Sequence, residues 1–66
     1  MTINEALTSA AAQFDAATLP ALRKLETLLL EAGIDEDAVA REVLGWRVSL
    51  AQARQNLLER VSELAR

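Results

Sequence analysis

The second half of the chain repeats its apolar positions at alternating steps of four and three residues. The repeating positions are Val39, Val43, Trp46, Leu50, Ala53, Leu57, Val61 and Leu64. Residues three and four apart lie on one face of an α-helix, so this pattern predicts a long amphipathic helix. We expect the helix to run from about residue 36 to residue 64, with a continuous apolar row that another helix must cover.

The first half carries a second apolar row, which is interrupted by a proline. Thr2 and Glu5 have the spacing of a capping box, which predicts that a helix starts there. Pro20 lacks an N–H group and clashes with the preceding turn of a helix. Either Thr18 caps a new helix or one long helix is kinked. The prediction is a first arm kinked or broken near Pro20, with helices at about 3–17 and 19–32.

A tight turn is predicted between the two arms. Gly33 can adopt the left-handed conformation that ends a helix, and Ile34 can pack back on Leu29. Asp35 is a good N-cap for the following helix. Two arms of matched length joined by a short turn form an antiparallel helical hairpin. The predicted fold class is therefore all-α, with residues 1–66 as a single helical domain, as a two-helix hairpin or a kinked three-helix bundle.

The composition indicates a chain that needs a partner. A chain of 66 residues buries only about 60% of its unfolded surface, and with no Cys or His this one cannot add disulfides or a typical zinc site.

The acidic residues 35–37 are explained by their place at a helix start, so we expect no metal site. No catalytic constellation or phosphate loop is present, and we expect neither an enzyme nor a cofactor.

The charge distribution and the length of the apolar runs predict which partners and which cellular compartment suit the chain. Residues 1–37 carry seven acidic and two basic residues, and residues 38–66 carry three acidic and five basic residues. The arms should attract each other, and the net charge of −3 argues against general nucleic-acid binding. Apolar runs fall well short of the ~20 residues that span a membrane, and no basic residue precedes Arg23 as in a secretory signal. We therefore expect a cytoplasmic protein without a membrane segment.

A candidate partner-binding surface remains after the apolar row of the second arm is packed on the first arm. A two-helix hairpin has no interior for the apolar residues that flank this row. Trp46 is the best single anchor because tryptophan is enriched among residues that dominate interface energy. The predicted partner-binding residues are Leu44, Trp46, Arg47, Val48, Ala51, Arg54 and Leu58. The expected partner is a protein helix, in a homodimer or in a heterocomplex.

Several features resemble one family. The short acidic chain, its Met1-Thr2 start, the Ala21-Leu22-Arg23 segment and the break at residues 33–35 are similar to the small co-chaperones of type III secretion needle subunits. That resemblance implies a helical hairpin that joins a larger repeat-containing chaperone in keeping a needle subunit soluble in the bacterial cytosol.

Two other functions remain open from the residues alone. Arg47 and Arg54 share a line along the second helix, where they would form a strip that recognises an acidic helix or structured RNA. A self-associating regulator of the dimeric helical-hairpin type would bind RNA. A phage-encoded inhibitor would dock on a host protein. Binding of RNA should weaken steeply with salt, whereas apolar helix packing should weaken far less.

Overall fold

The chain forms two long helices that pack against each other in opposite directions. The computed structural model describes residues 2–66, and its elements are α1 (Ile3–Glu31) and α2 (Glu36–Leu64). Each helix has 29 residues, and the hairpin extends 49 Å by 16 Å by 11 Å. The predicted all-α helical hairpin is confirmed.

Local hydrogen bonds fix the ends of both helices where the sequence predicts them. The Thr2 hydroxyl accepts a hydrogen bond from the Glu5 N–H at 3.1 Å, and the Asp35 carboxylate accepts one from the Ala38 N–H at 3.1 Å. Each bond satisfies one of the N–H groups that a helix start leaves without a partner. These two N-caps are therefore built by the chain within four residues of each helix start.

The turn between the helices is a Schellman motif. Gly33 has a φ of +84°, the left-handed conformation that residues with a Cβ adopt with strain. Its N–H donates to the Leu30 carbonyl at 3.0 Å, and the Ile34 N–H donates to the Leu29 carbonyl at 3.1 Å. Only two residues, Ile34 and Asp35, then separate the turn glycine from α2, so the arms leave the turn side by side.

Helix α1 is continuous through Pro20, which corrects the alternative of three helices. The predicted boundary between residues 17 and 19 does not form, and Thr18 is not an N-cap, because its hydroxyl donates to the Phe14 carbonyl at 2.8 Å within the helix. Pro20 and Ala16 lie on the exposed side of α1, where water can reach the carbonyl that Pro20 cannot bond. A kink within this continuous helix stays a prediction.

The core of the hairpin is small and lies in its half nearest the turn. Among the described residues, the only side chains under a tenth exposed are Leu22 (5%), Val39 (2%) and Val43 (6%). The partly buried residues packed against them are Leu29, Trp46 and Leu50. Towards the free ends of the arms, the contact between helices consists of partly buried side chains alone.

The contact row of α2 drifts away from the predicted one in its second half. Val39, Val43, Trp46 and Leu50 face α1 as predicted, but Ala53 is exposed and Arg54 is partly buried instead. Further along, Leu58 is more buried than Leu57. A straight helix has 3.6 residues per turn and drifts by about 20° per heptad against a strict seven-residue repeat. That drift amounts to about 40° over two heptads, less than the roughly 100° between successive residues, so the change of contact row also depends on how the far half of α2 lies against α1.

Gly45 gives a first testable prediction. It lies inside α2, and nothing stands within 4 Å of the position that a Cβ would occupy. No close approach within the chain requires glycine here, so Gly45→Ala should raise the free energy of unfolding by about 1 kcal/mol through helix propensity. Urea denaturation followed by circular dichroism at fixed protein concentration measures the difference.

Gly33 provides the matched control for Gly45. Its surroundings are equally open, but the φ of +84° makes a Cβ costly, so Gly33→Ala should lower the free energy of unfolding by about 1 kcal/mol. Equal effects of the two substitutions would contradict the difference in backbone conformation between the two sites.

Candidate protein-binding surfaces

Much of the apolar surface of the hairpin is exposed. Ten large apolar residues are exposed in the described part of the chain: Ile3, Leu19, Leu25, Leu28, Leu30, Ile34, Leu44, Val48, Leu57 and Leu64. Single exposed apolar residues are common, but contiguous apolar surface on a small protein marks a site of association. The geometry of the two helices decides which of these residues lie together.

Two grooves run between the helices on opposite faces of the hairpin. Leu19 and Leu25 lie three residues before and after the buried Leu22, so helical geometry turns them to opposite sides of it. The first surface, which we call the tryptophan groove, is lined by Ala17, Thr18, Ala21, Leu22, Leu25, Trp46, Ser49 and Leu50. The second, the arginine groove, is lined by Phe14, Asp15, Thr18, Leu19, Leu22, Arg47, Leu50, Ala51 and Arg54.

The tryptophan groove is apolar and has no ionisable side chain in its lining. Ala17, Ala21 and Ser49 are small, so the backbones of α1 and α2 are accessible to a third helix along this face. Leu25 is exposed, and Trp46 is partly buried with part of its ring surface in contact with the core. Small residues beside a large aromatic residue form a surface into which the side chains of another helix can pack.

The arginine groove is charged and closed at one end by an ion pair. The Arg54 Nε and a terminal guanidinium nitrogen donate to the two carboxylate oxygens of Asp15, at 3.0 Å and 3.3 Å. Both side chains are about two-fifths exposed, and such pairs contribute at most about 1 kcal/mol. The bidentate geometry nevertheless joins α1 to α2 at a defined level. It also leaves Arg54 neutralised by Asp15, which weakens the case for an arginine strip that binds RNA.

The seven residues predicted to bind a partner do not form one surface. Leu44 (63%) and Val48 (64%) are among the most exposed apolar residues, and Arg47 and Ala51 line the arginine groove. Trp46 lies on the opposite face, in the tryptophan groove.

The other two predicted residues take part in contacts between the helices. Arg54 bonds Asp15, and Leu58 is partly buried near Leu7 of α1. The prediction that Leu58 flanks the contact between the arms is therefore corrected, as part of the same change of contact row in the far half of α2. Whether the seven residues bind a partner stays a prediction.

Sequence reasoning missed the residues of α1 that complete the tryptophan groove. Ala17, Ala21 and Leu25 follow one another at steps of four on one side of Leu22. The small residues of α1 are visible in the sequence as sites of close helix approach. Their position opposite Trp46 depends on the level at which the two arms pair, and the turn at Gly33 sets that level.

Residues 2–66 contain neither a cluster of possible metal ligands nor a helix that could cross a membrane. Residues 2–66 contain no group of three or more His, Cys, Asp or Glu side chains placed to hold a metal ion. Neither α1 nor α2 combines the length and the apolar character that crossing a membrane demands. Within the same residues, no side chain that is polar or charged is buried. The arrangement of the described residues is therefore one of apolar surfaces with charged edges.

The two grooves, their lining and the exposed leucines are the features from which a function can be argued. Comparison of the chain with protein-family models, with curated proteins and with solved structures finds no match.

Proposed function

We propose that the chain is a small, non-enzymatic helical adaptor or chaperone that binds a partner protein, helix against helix, through its exposed apolar surface. The observation that carries the proposal is the imbalance between three buried side chains and ten large exposed apolar ones. An uncharged groove beside Trp46 gives that surface a shape into which a helix can pack.

The free energy of burying apolar surface supports the proposal of a partner protein. Burial of apolar surface is the main favourable term in folding, and a chain of this size is marginal even with a complete core. The hairpin core is incomplete, because large side chains such as Leu28, Leu44 and Val48 are exposed in the single chain. Covering them with another helix would add the stabilisation that disulfides or metals supply in other small proteins.

In this proposal the hairpin acts in the cytoplasm as one component of a helical bundle, in a homodimer or a heterocomplex. In this bundle α1 would be kinked at Pro20, because proline bends a helix away from its own ring. Co-chaperones of type III secretion needle subunits are the family whose task fits this design. In such a complex the apolar surface would contact the larger chaperone rather than remain in water.

Site-specific photocrosslinking tests the proposal. A photoreactive phenylalanine analogue would replace Leu25, in the tryptophan groove, or Leu44, on the other side of the hairpin. The control is Gln52, which is exposed and lines neither groove. After irradiation in cells of the source organism, covalent protein adducts should form from Leu25, Leu44 or both, and far less from Gln52.

The adducts are identified by mass spectrometry, and they include adducts between two copies of the chain. The proposal fails if neither apolar position gives more protein adduct than Gln52 does. Adducts to RNA in place of protein would also contradict it.

A further inference from the structure

We infer that the tryptophan groove is the self-association face of the chain, and that its occupant is the same groove of a second copy. This inference rests on the proposed function and names its partner. The resulting dimer would be a four-helix bundle in which Ala17, Ala21, Leu25 and Trp46 become interior residues.

The broad side of the hairpin is large enough to hold the interface of a stable dimer. The broad side of the hairpin measures 49 Å by 16 Å, which is about 780 Å² in projection (49 Å × 16 Å). Specific protein interfaces bury about 800 Å² on each partner. A second copy has the same length by construction, so it covers the whole face, whereas a single foreign helix would leave one arm uncovered.

The lining of the groove favours an uncharged and symmetric contact. No ionisable residue lines the tryptophan groove, whereas Asp15, Arg47 and Arg54 line the arginine groove. An interface interior is depleted in charge, because a buried charge without a partner is costly. Of the two faces of the hairpin, the tryptophan groove is the one that a second copy can cover without burying an ion pair.

Charges at the edge of this face complement each other between copies. Glu42 lies four residues before Trp46, and Arg60 continues the same line of α2 at steps of three and four from Ser49. The two charges lie eight residues before and ten residues after Leu50, the midpoint of α2, or about 12 Å and 15 Å along the axis. When two copies of α2 cross antiparallel at their midpoints, each Glu42 lies near the level of the other copy's Arg60. Arg60 also pairs with Glu63 of its own helix at 3.7 Å, and this pair is highly exposed, so Arg60 can contact a second carboxylate.

The other two-fold arrangement also gives Glu42 a cation. If the turns of both copies lie at the same end, α1 of one copy covers α2 of the other. Lys24, three residues after Ala21 on the same side of α1, then lies near the level of Glu42. Attraction at the rim therefore holds in both orientations, and the occupant does not depend on which is adopted.

Ala21→Glu tests the inference against the matched variant Ala51→Glu. Both alanines are exposed in the hairpin, and they line the tryptophan groove and the arginine groove respectively. Sedimentation equilibrium should show the wild-type chain as a dimer at micromolar concentration. Ala21→Glu should weaken dimerisation about a hundredfold, because it buries carboxylates in an apolar contact. Ala51→Glu should remain as dimeric as the wild type.

The wild-type chain itself provides a second measurement that needs no variant. Trp46 should pass from a covered to a wetter environment on dilution, with a red shift of its fluorescence at the concentration at which the dimer dissociates. A wild-type chain that is monomeric at all concentrations up to 100 micromolar would overturn the inference, as would a dimer that Ala51→Glu dissociates and Ala21→Glu does not.

Failure here can be separated from failure of the proposed function. A monomeric chain whose Leu25 position crosslinks to a different protein overturns self-association and leaves the helical adaptor in place. Absence of any protein adduct overturns both.

Discussion

Val43→Asp is expected to unfold the hairpin. Val43 is one of three side chains under a tenth exposed, and the other two, Leu22 and Val39, pack in the same cluster. A carboxylate buried without a partner costs about 3–5 kcal/mol, comparable to the whole stability of a small domain at the lower end of about 5–15 kcal/mol. Circular dichroism should show loss of most helix, with no cooperative melting transition.

Val48→Asp is the matched control for this prediction. It makes the same change of residue type five positions further along α2, where the valine is 64% exposed. Exposed substitutions of this kind change the free energy of unfolding by about 0.5 kcal/mol or less. A folded Val43→Asp variant that melts like Val48→Asp would show that the buried cluster is not the core of the hairpin.

Leu22→Ala is the second large effect that we expect. Leu22 is 5% exposed and is the only residue of α1 with less than a tenth of its surface exposed. Truncation of its side chain therefore leaves a cavity against α2. Loss of buried methyl groups together with a cavity costs about 2–5 kcal/mol for Leu→Ala. Chemical denaturation at a fixed protein concentration should show a lower midpoint with a similar dependence on denaturant.

Leu44→Ala separates the role of burial from that of residue type. Leu44 is 63% exposed, so the same substitution removes few contacts within the hairpin, and we expect a change below about 0.5 kcal/mol. Equal destabilisation by the Leu22 and Leu44 substitutions would contradict the assignment of Leu22 to the core and of Leu44 to the surface.

The features of the fold that the sequence predicts correctly are those set by local interactions. The Thr2 and Asp35 caps join each residue to an N–H three positions along the chain, and the turn at Gly33 depends on hydrogen bonds that span three and five residues. Residue types alone indicate such interactions. The hairpin then follows, because two amphipathic helices of equal length are joined by a connection of only four residues, 32–35.

The features that the sequence does not predict depend on contacts between the arms. Phe14 and Leu22, on either side of Pro20, both face α2, and this packing offsets the cost of about 3 kcal/mol that proline imposes on a continuous helix. The exchange of Leu57 for Leu58 depends on how the far half of α2 lies against α1, which the spacing of apolar residues does not give. The position of Ala21 opposite Trp46 in the tryptophan groove can be predicted only if the alignment of α1 along α2 is known.

The position of the buried cluster near the turn has a consequence for how the chain folds. Leu29 and Val39 are only ten residues apart along the chain, so bringing them together costs little loop-closure entropy. Contacts nearer the free ends, such as that between Asp15 and Arg54, close loops several times longer. We therefore expect contacts between the arms to form first near Gly33 and then towards the free ends, because this order costs the least loop-closure entropy. Chains dominated by such local contacts fold within microseconds to milliseconds.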